Sequence, residues 1–153
     1  MIPVPASGTL SRGVHRFPVR VYFEDTDLSG IVYHANYLRF MERGRSDMLR
    51  AVGIDQRAHF EAGEGAYAVA DLQIAYKRPA RLDDALIVES RVTRVRAAAT
   101  EIEQRILRGG ELCTAATVVA ALVGPDGRPC RQPDAWRELF TDLMMEVERD
   151  DAG

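Results

Sequence analysis

The order of helical and strand-like segments constrains the fold most. Apolar side chains recur at helical spacing from about residue 35 to residue 52, and Gly53 follows them as a terminator. The apolar positions are Tyr37, Leu38, Phe40, Met41, Met48, Leu49 and Val52. A face this broad predicts a long helix that is largely surrounded by other structure.

Five segments have the composition or alternation of β-strands, and four of them follow this helix. They are residues 15–23, 66–77, 86–95, 100–108 and 112–123. Gly109-Gly110 between the last two predicts a tight hairpin. Residues 112–123 are apolar on both faces, which predicts a central strand covered on each side. A second amphipathic helix is predicted after Pro133.

Hairpin-linked strands after one long helix predict an α+β fold with an antiparallel sheet of about five strands. A single sheet must bury one face, and the long helix supplies the cover if the sheet curls around it. Residues 1–13 contain Pro3, Pro5, Gly8 and Gly13 and are expected to be a flexible tail. Residues 14–150 are expected to form one domain.

Composition excludes several classes of function. The net charge of −3 over 153 residues carries no electrostatic signature of nucleic-acid binding. No apolar run is long enough to span a membrane, and the first residues do not resemble a signal peptide, so a cytoplasmic protein is expected. No histidine pair has the spacing of a helical zinc site, and neither a metal nor a cofactor is expected.

The residues best suited to catalysis precede the long helix. Asp25 and Asp27 lie in a loop that also contains Gly30. A helix N-terminus offers unpaired N–H groups and a partial positive charge, which stabilise an oxygen that becomes negative during a reaction. A carboxylate facing that end can act as a nucleophile or a general base. The alternative is structural, since aspartates before helices are usually caps or turn formers.

Two other polar features of this region have structural interpretations as well. His34 can be a packed or capping histidine rather than a catalytic one. Glu42 and Arg45 are three residues apart on the helix, a spacing typical of a surface ion pair.

Residues 22–45 resemble the signature of the 4-hydroxybenzoyl-CoA thioesterase superfamily, and in particular its Tol–Pal-associated acyl-CoA thioesterase subfamily. The matching residues are Tyr22, Asp25-Thr26-Asp27, Gly30, Val32-Tyr33-His34-Ala35, Tyr37, Phe40 and Glu42-Arg43. The similarity continues through Tyr76, residues 79–84 and residues 104–106, and spans about residues 15–140. It implies a hotdog fold, in which a curved antiparallel sheet wraps a long helix. Such domains pair edge to edge into homodimers, often into homotetramers, with active sites at the dimer interface near the start of the helix.

The resemblance also implies roles for individual residues. Asp27 matches the catalytic carboxylate, as nucleophile or general base. The backbone N–H of His34 matches the amide that polarises the thioester carbonyl, and its imidazole is expected to assist substrate or water. Gly30 and Tyr33 shape the same loop.

Coenzyme A binding is implied for Arg96, which matches one of the basic residues that bind CoA in the superfamily. Residues 97–99 are all alanine here, where relatives often carry Lys, Arg or Ser. Lys77, Arg78 and Arg81 are candidates to compensate.

The resulting hypothesis is hydrolysis of aliphatic, short- to medium-chain acyl-CoA to free acid and CoA. One alternative is a thioesterase acting on acyl carrier protein, with Arg12, Arg16, Arg20 and Arg39 as candidates for docking this acidic partner. Another is a non-catalytic interaction protein of the Tol–Pal envelope system.

Overall fold

Helix α1 (Asn36–Ala51) packs against one face of a six-stranded antiparallel sheet in the computed structural model, which describes all 153 residues. The strands are β1 (Thr9–Ser11), β2 (Val14–Arg20), β3 (Ala66–Tyr76), β4 (Ala85–Val95), β5 (Ala99–Arg108) and β6 (Glu111–Val123). Two further helices are α2 (Gln56–Glu61) and α3 (Asp134–Ala152). The long helix, the four strands after it, the Gly109-Gly110 hairpin and the last helix are confirmed.

The strand order is β1-β2-β4-β5-β6-β3, so β1 and β3 are the edges of the sheet. The curved sheet wraps α1 on its inner face, which confirms the hotdog arrangement and the α+β class. The sheet has six strands rather than the expected five, because the short strand β1 precedes β2. Three residues are too few to show an alternating pattern in the sequence.

The N-terminal residues correct the expected extent of the flexible tail. Residues 9–11 pair with residues 14–16 in a hairpin whose turn contains Gly13 at φ +78°. The buried carboxylate of Asp47 on α1 accepts hydrogen bonds of 2.8 Å from the backbone N–H of Gly8 and from Nε2 of His15. Residues 8–13 are therefore attached to the domain, which the proline and glycine content did not predict.

Two strand predictions need correction. β2 ends at Arg20, and Phe23–Asp25 form a 3-10 turn, so the predicted strand over residues 15–23 is too long. β6 is the second strand from one edge, and only its inner face is fully covered. Its outward residues Ala115, Thr117 and Val119 are half-buried, since both long helices lie on the inner side.

Close contact between α1 and the sheet fixes the position of the helix. A Cβ atom at Gly44 would lie 2.8 Å from Cγ1 of Val88 on β4. The buried Gln104 on β5 donates hydrogen bonds of 2.9 Å to the carbonyl of Met41 and to Ser90 Oγ. These contacts hold the middle of α1 against β4 and β5. None of the helices combines the length and the apolar composition needed to cross a bilayer.

Candidate active site

The aspartate loop is a tight turn. The backbone N–H of Asp27 donates to the carbonyl of Ile31 at 2.9 Å, and the N–H of Gly30 donates to the carbonyl of Asp27 at 3.0 Å. Gly30 has φ +82°, and a Cβ atom at this position would meet no atom within 4 Å. Glycine is therefore needed here for its backbone conformation and not for space.

The carboxylate of Asp27 is exposed in the single chain and is held by one neighbour. Its Oδ1 accepts hydrogen bonds from the Ser29 hydroxyl at 2.5 Å and from the Ser29 backbone N–H at 2.8 Å. The hydroxyl and then the N–H of Ser29 lower the pKa of Asp27 below its ordinary value of 3.8, and the nearby charge of His34 lowers it further. Asp27 is therefore ionised at neutral pH. Ser29 was not among the predicted site residues, although a serine two residues after an aspartate is a frequent turn signal.

Asp25 has a different environment from Asp27. It is 5% exposed, and its two oxygens accept from the backbone N–H of Tyr22 at 2.8 Å and from Nδ2 of Asn36 at 2.7 Å. Its carbonyl accepts from the backbone N–H of Tyr33 at 2.9 Å. Asp25 thus joins both sides of the loop to the first residue of α1 and leaves Asp27 as the available carboxylate.

The backbone N–H of His34 is free at the start of α1. No side chain caps this helix, and none of the hydrogen bonds within the chain uses that N–H. The carbonyl of Tyr33 accepts from the N–H of Asn36 at 2.8 Å. Because a trans peptide is planar, this bond directs the His34 N–H away from the helix. The carbonyl of His34 accepts from the Tyr76 hydroxyl at 2.7 Å, so both peptide groups next to His34 are fixed.

A groove beside His34 has a volume of about 330 Å³. Its lining combines apolar and cationic side chains: Ile31, Val32, His34, Tyr37, Tyr76, Lys77, Arg78 and Pro79. Tyr37 is held by its hydroxyl, which accepts from the N–H of Ala80 at 3.0 Å, and burial raises its pKa. Arg78 pairs with Glu111 at 2.9 Å, whereas Lys77 makes no ion pair within the chain. An elongated ligand with an anionic end fits this lining.

Arg96 lies far from this groove in the same chain. The loop with Asp27 follows Arg20, which pairs with Ala85 at the first end of β4, and Arg96 follows the other end of that strand. The length of β4 alone separates the two ends by about 33 Å. The Arg96 side chain is half exposed and forms an ion pair with Glu101 at 3.4 Å. A single chain therefore does not bring Asp27 and Arg96 together.

Glu42 and Arg45 form no ion pair, which corrects the default interpretation of their spacing. The guanidinium of Arg45 is turned toward the sheet and donates to Oε1 of Gln104 at 2.9 Å, and burial lowers its pKa. Both side chains instead line a second cavity, of about 300 Å³, between α1, α3 and the sheet.

Of the arginines considered for docking a carrier protein, three have partners. Arg12 pairs with Asp150 at 3.2 Å, and Arg16 pairs with Glu89 at 2.9 Å. Arg20 donates to the carbonyl of Asp83 at 2.8 Å. Arg39 is exposed and has no carboxylate partner. No group of three or more His, Cys, Asp or Glu side chains is placed to hold a metal ion.

Comparison with known proteins relates most of the folded chain to thioesterases. A family model described as Thioesterase-like superfamily matches residues 21–140. The acyl-CoA thioesterase YbgC of Haemophilus influenzae is 46% identical over 107 residues, which cover 70% of this chain and 79% of that protein.

Solved structures share the same architecture. A probable thioesterase from Bartonella henselae is 40% identical, with a TM-score of 0.74 over 78% of this chain and 99% of that one. The DHNA-CoA thioesterase of Staphylococcus aureus has a TM-score of 0.82 at 20% identity, over 90% of this chain and 95% of that one. At that identity the second similarity concerns the fold alone.

Proposed function

The chain belongs to the thioesterase-like superfamily and, within it, to the family of acyl-CoA thioesterases, and we propose that it hydrolyses acyl-CoA thioesters through Asp27. The observation that carries this proposal is that one loop contains both an ionised, accessible carboxylate at Asp27 and a free N–H at His34. The first supplies an attacking group, and the second supplies a donor for the oxygen that becomes negative.

In the proposed reaction, an oxygen of Asp27 attacks the thioester carbonyl carbon. The carbonyl oxygen becomes negative and accepts from the His34 N–H, an interaction typically worth about 3 kcal/mol of barrier. Collapse of the tetrahedral intermediate breaks the C–S bond and releases CoA as thiolate. Water then cleaves the resulting anhydride, which regenerates the Asp27 carboxylate, and a proton from this water neutralises the thiolate.

We favour the nucleophilic role for Asp27 over the general-base role. A general base works best when its pKa lies near the working pH. The Ser29 hydrogen bonds instead keep the pKa of Asp27 below its ordinary value, which makes the group a weak proton acceptor. The imidazole of His34 is the better candidate for accepting the proton of water, since its ring is exposed beside the loop.

The groove beside His34 is the proposed route of the pantetheine arm. Its apolar lining suits an uncharged chain, and Lys77 and Arg78 at its rim suit phosphate groups. We propose Gly30 and Tyr33 as loop-shaping residues of the same subsite, and short- to medium-chain aliphatic acyl groups as substrates.

The edge strand β3 supports a homodimer. β3 has eleven residues, pairs only with β6, and leaves Val69 and Tyr76 about half exposed. A long unpaired edge is normally covered, and pairing with a second copy would satisfy its backbone groups. We propose antiparallel β3–β3 pairing, which produces one continuous sheet across a twofold axis.

This dimer offers a role for Arg96. The turn that carries it is bonded to β6, since the N–H of Leu122 donates to the carbonyl of Ala98 at 2.8 Å, and Leu122 pairs with Tyr67 near the start of β3. Antiparallel pairing puts that end of one β3 beside the Tyr76 end of the other. We therefore propose that Arg96 of the partner subunit contacts the CoA phosphates. Arg96→Ala should raise KM for acyl-CoA with little change in kcat, and Arg94→Ala, an exposed change two residues earlier at the end of β4, should not.

The experiment for the catalytic role measures thiol release over acyl-CoAs of increasing length. We expect Asp27→Asn to lower kcat by roughly 10²- to 10⁴-fold without changing the melting temperature. Glu24→Gln removes an exposed carboxylate from the same loop and should leave the rate within about twofold of wild type. Equal rates for Asp27→Asn and wild type would reject the role of Asp27.

Acyl carrier protein is the second candidate substrate carrier. The exposed Arg39 on the first turns of α1 and Lys77 at the groove have no carboxylate partners and could meet an acidic protein. Arg39→Glu should lower kcat/KM for acyl carrier protein more than for acyl-CoA of the same acyl group if the carrier docks here. Equal effects on the two substrates would argue against docking at this surface.

A further inference from the structure

Ser29 holds one of the two carboxylate oxygens of Asp27 and leaves the other free. Oδ1 accepts from the Ser29 hydroxyl at 2.5 Å and from the Ser29 backbone N–H at 2.8 Å, and no hydrogen bond within the chain involves Oδ2. The free Oδ2 is therefore the oxygen placed to attack a thioester. When the anhydride forms through Oδ2, Oδ1 becomes a carbonyl oxygen that still faces both donors.

Both donors are in position before any substrate binds. The turn that carries Ser29 is closed by the N–H of Gly30, which donates to the carbonyl of Asp27 at 3.0 Å. The N–H distance of 2.8 Å is that of an oxyanion-hole donor, and 2.5 Å is within the range of hydroxyl bonds to a charged oxygen. The backbone N–H alone is enough to close an aspartate turn, so the hydroxyl adds a second donor at the same oxygen.

The anhydride offers water two carbonyl carbons, the acyl carbon and Cγ of Asp27, and the two differ in their donors. The oxygen on the acyl carbon is served by the N–H of His34, whereas Oδ1 on Cγ is served by both groups of Ser29. A hydrogen bond strengthens when its acceptor changes from a neutral carbonyl to an oxyanion, and only this gain lowers a barrier. Two donors therefore favour attack at Cγ.

We propose that Ser29 is a catalytic residue for cleavage of the anhydride, because its hydroxyl and backbone N–H form an oxyanion hole for the attack of water on Cγ of Asp27. This role rests on the proposed function, since it requires that Asp27 attacks the thioester and forms the anhydride. It adds which carbon the water attacks and which residue stabilises the second oxyanion.

In this step the oxygen of water bonds to Cγ while one of its protons passes to the imidazole of His34. The electron pair of the Cγ=Oδ1 bond moves to Oδ1. Collapse re-forms that double bond and breaks the Cγ–Oδ2 bond, so the acid leaves as a carboxylate that contains Oδ2. The proton on His34 neutralises the CoA thiolate, and the second proton of water is lost to solvent as Asp27 ionises. Each turnover thus replaces one oxygen of Asp27 with an oxygen from water.

A single turnover in H₂¹⁸O tests which carbon is attacked. Enzyme in excess over acyl-CoA ensures that each site reacts no more than once. The product acid should carry no ¹⁸O, and Asp27 should gain it. Mass spectrometry of the tryptic peptide of residues 21–39 locates the label, and Asp25 in the same peptide should remain unlabelled. An acid that carries ¹⁸O beside an unlabelled Asp27 would overturn the proposal.

The same labelling separates this inference from the proposed function. Hydrolysis by wild type that is lost in Asp27→Asn, with ¹⁸O in the acid and none in Asp27, would leave the thioesterase function intact and reject only the attack at Cγ. If wild type hydrolyses no acyl-CoA, or if Asp27→Asn is as fast as wild type, the proposed function fails and this step fails with it.

Ser29→Ala tests the role of the hydroxyl. Rapid mixing with acyl-CoA measures the release of CoA and the formation of acid separately. The variant should form acid at least about tenfold more slowly at neutral pH, while CoA release stays near the wild-type rate and appears as a burst. Because kcat/KM includes only the steps up to CoA release, kcat should fall and kcat/KM should not.

Two further variants serve as controls for the hydroxyl. Ser29→Thr keeps a hydroxyl at this position and should restore acid formation. Thr26→Ala removes a hydroxyl that donates to the carbonyl of Phe23 in the same loop, and should leave both rates unchanged. A purely structural role of Ser29 would slow CoA release and acid formation together, since a displaced Asp27 attacks poorly. Equal slowing of the two steps, or unchanged acid formation in Ser29→Ala, would overturn the proposal.

Discussion

The hydroxyl of Tyr76 donates a 2.7 Å hydrogen bond to the backbone carbonyl of His34, and so joins the last residue of β3 to a residue two positions before α1. The two residues are 42 positions apart in the chain. The bond fixes the peptide group that follows His34, next to the free N–H that we propose as the donor to the oxyanion. The same tyrosine lies at the strand edge where a second copy is proposed to pair, so dimerisation and the site share this residue.

Tyr76→Phe tests this connection. Loss of the hydroxyl frees the His34 carbonyl and loosens the peptide groups around it, while the ring keeps its contacts. A net hydrogen bond of about 1 kcal/mol corresponds to a roughly fivefold lower kcat, with KM nearly unchanged. Steady-state kinetics with acyl-CoA measures both values. A normal kcat in a fully dimeric variant would show that this bond does not position the site.

Ser29→Ala tests how the charge of Asp27 is maintained. The Ser29 hydroxyl stabilises the ionised form and lowers the pKa of Asp27, so its removal should raise that pKa toward the ordinary value of 3.8. The acidic limb of the kcat/KM profile should therefore move to higher pH, with the rate at neutral pH little changed.

The control for this prediction is Thr26→Ala, which removes a hydroxyl bonded to the carbonyl of Phe23 in the same loop. Its acidic limb should coincide with that of wild type. Fluorescence recorded at each pH checks that the protein remains folded. Identical limbs for Ser29→Ala and wild type would show that Asp27 ionisation does not govern this part of the profile.

Asn36→Ala tests the structural role of Asp25. The change leaves one oxygen of a buried carboxylate without its donor, which should lower the free energy of unfolding by about 1–3 kcal/mol. Urea unfolding measures the loss. Arg39→Ala changes an exposed residue of the same helix and should cost less than about 0.5 kcal/mol. Equal free energies of unfolding for the two variants would mean that the hydrogen bond from Asn36 to Asp25 does not stabilise the fold.

Gly44→Ala tests the close approach of α1 to the sheet. Alanine is the better helix former by about 1 kcal/mol, yet its Cβ would lie 2.8 Å from the Cγ1 atom of the buried Val88. We expect the overlap to prevail and to lower the free energy of unfolding by about 1–3 kcal/mol. In the double variant Gly44→Ala/Val88→Ala the two losses should be less than additive, because the smaller side chain relieves the overlap. Additive losses would rule out this contact as the cause.

Local patterns in the sequence were sufficient for most of the architecture. The apolar face of residues 35–52 predicted α1, and Gly109-Gly110 predicted the β5–β6 hairpin, because helical periodicity and turn chemistry are properties of neighbouring residues. Strand β1 and helix α2 were not predicted. They are three and six residues long, too short for a periodic signal.

In the candidate site, too, some features follow from local sequence and others depend on the tertiary structure. The sequence by itself determined that Asp27, Gly30 and His34 lie in one loop before a long helix, since all three are within eight residues of one another. Only the tertiary structure decided that the carboxylate of Asp25 is buried and bonded to Asn36, while that of Asp27 is exposed and bonded to Ser29. The hydrogen bond from the Tyr76 hydroxyl to the carbonyl of His34 also depends on the tertiary structure. It also separated Arg96 from Asp27 by the length of β4. Strand pairing and burial bring together residues that are distant in the chain, and no local pattern contains that information.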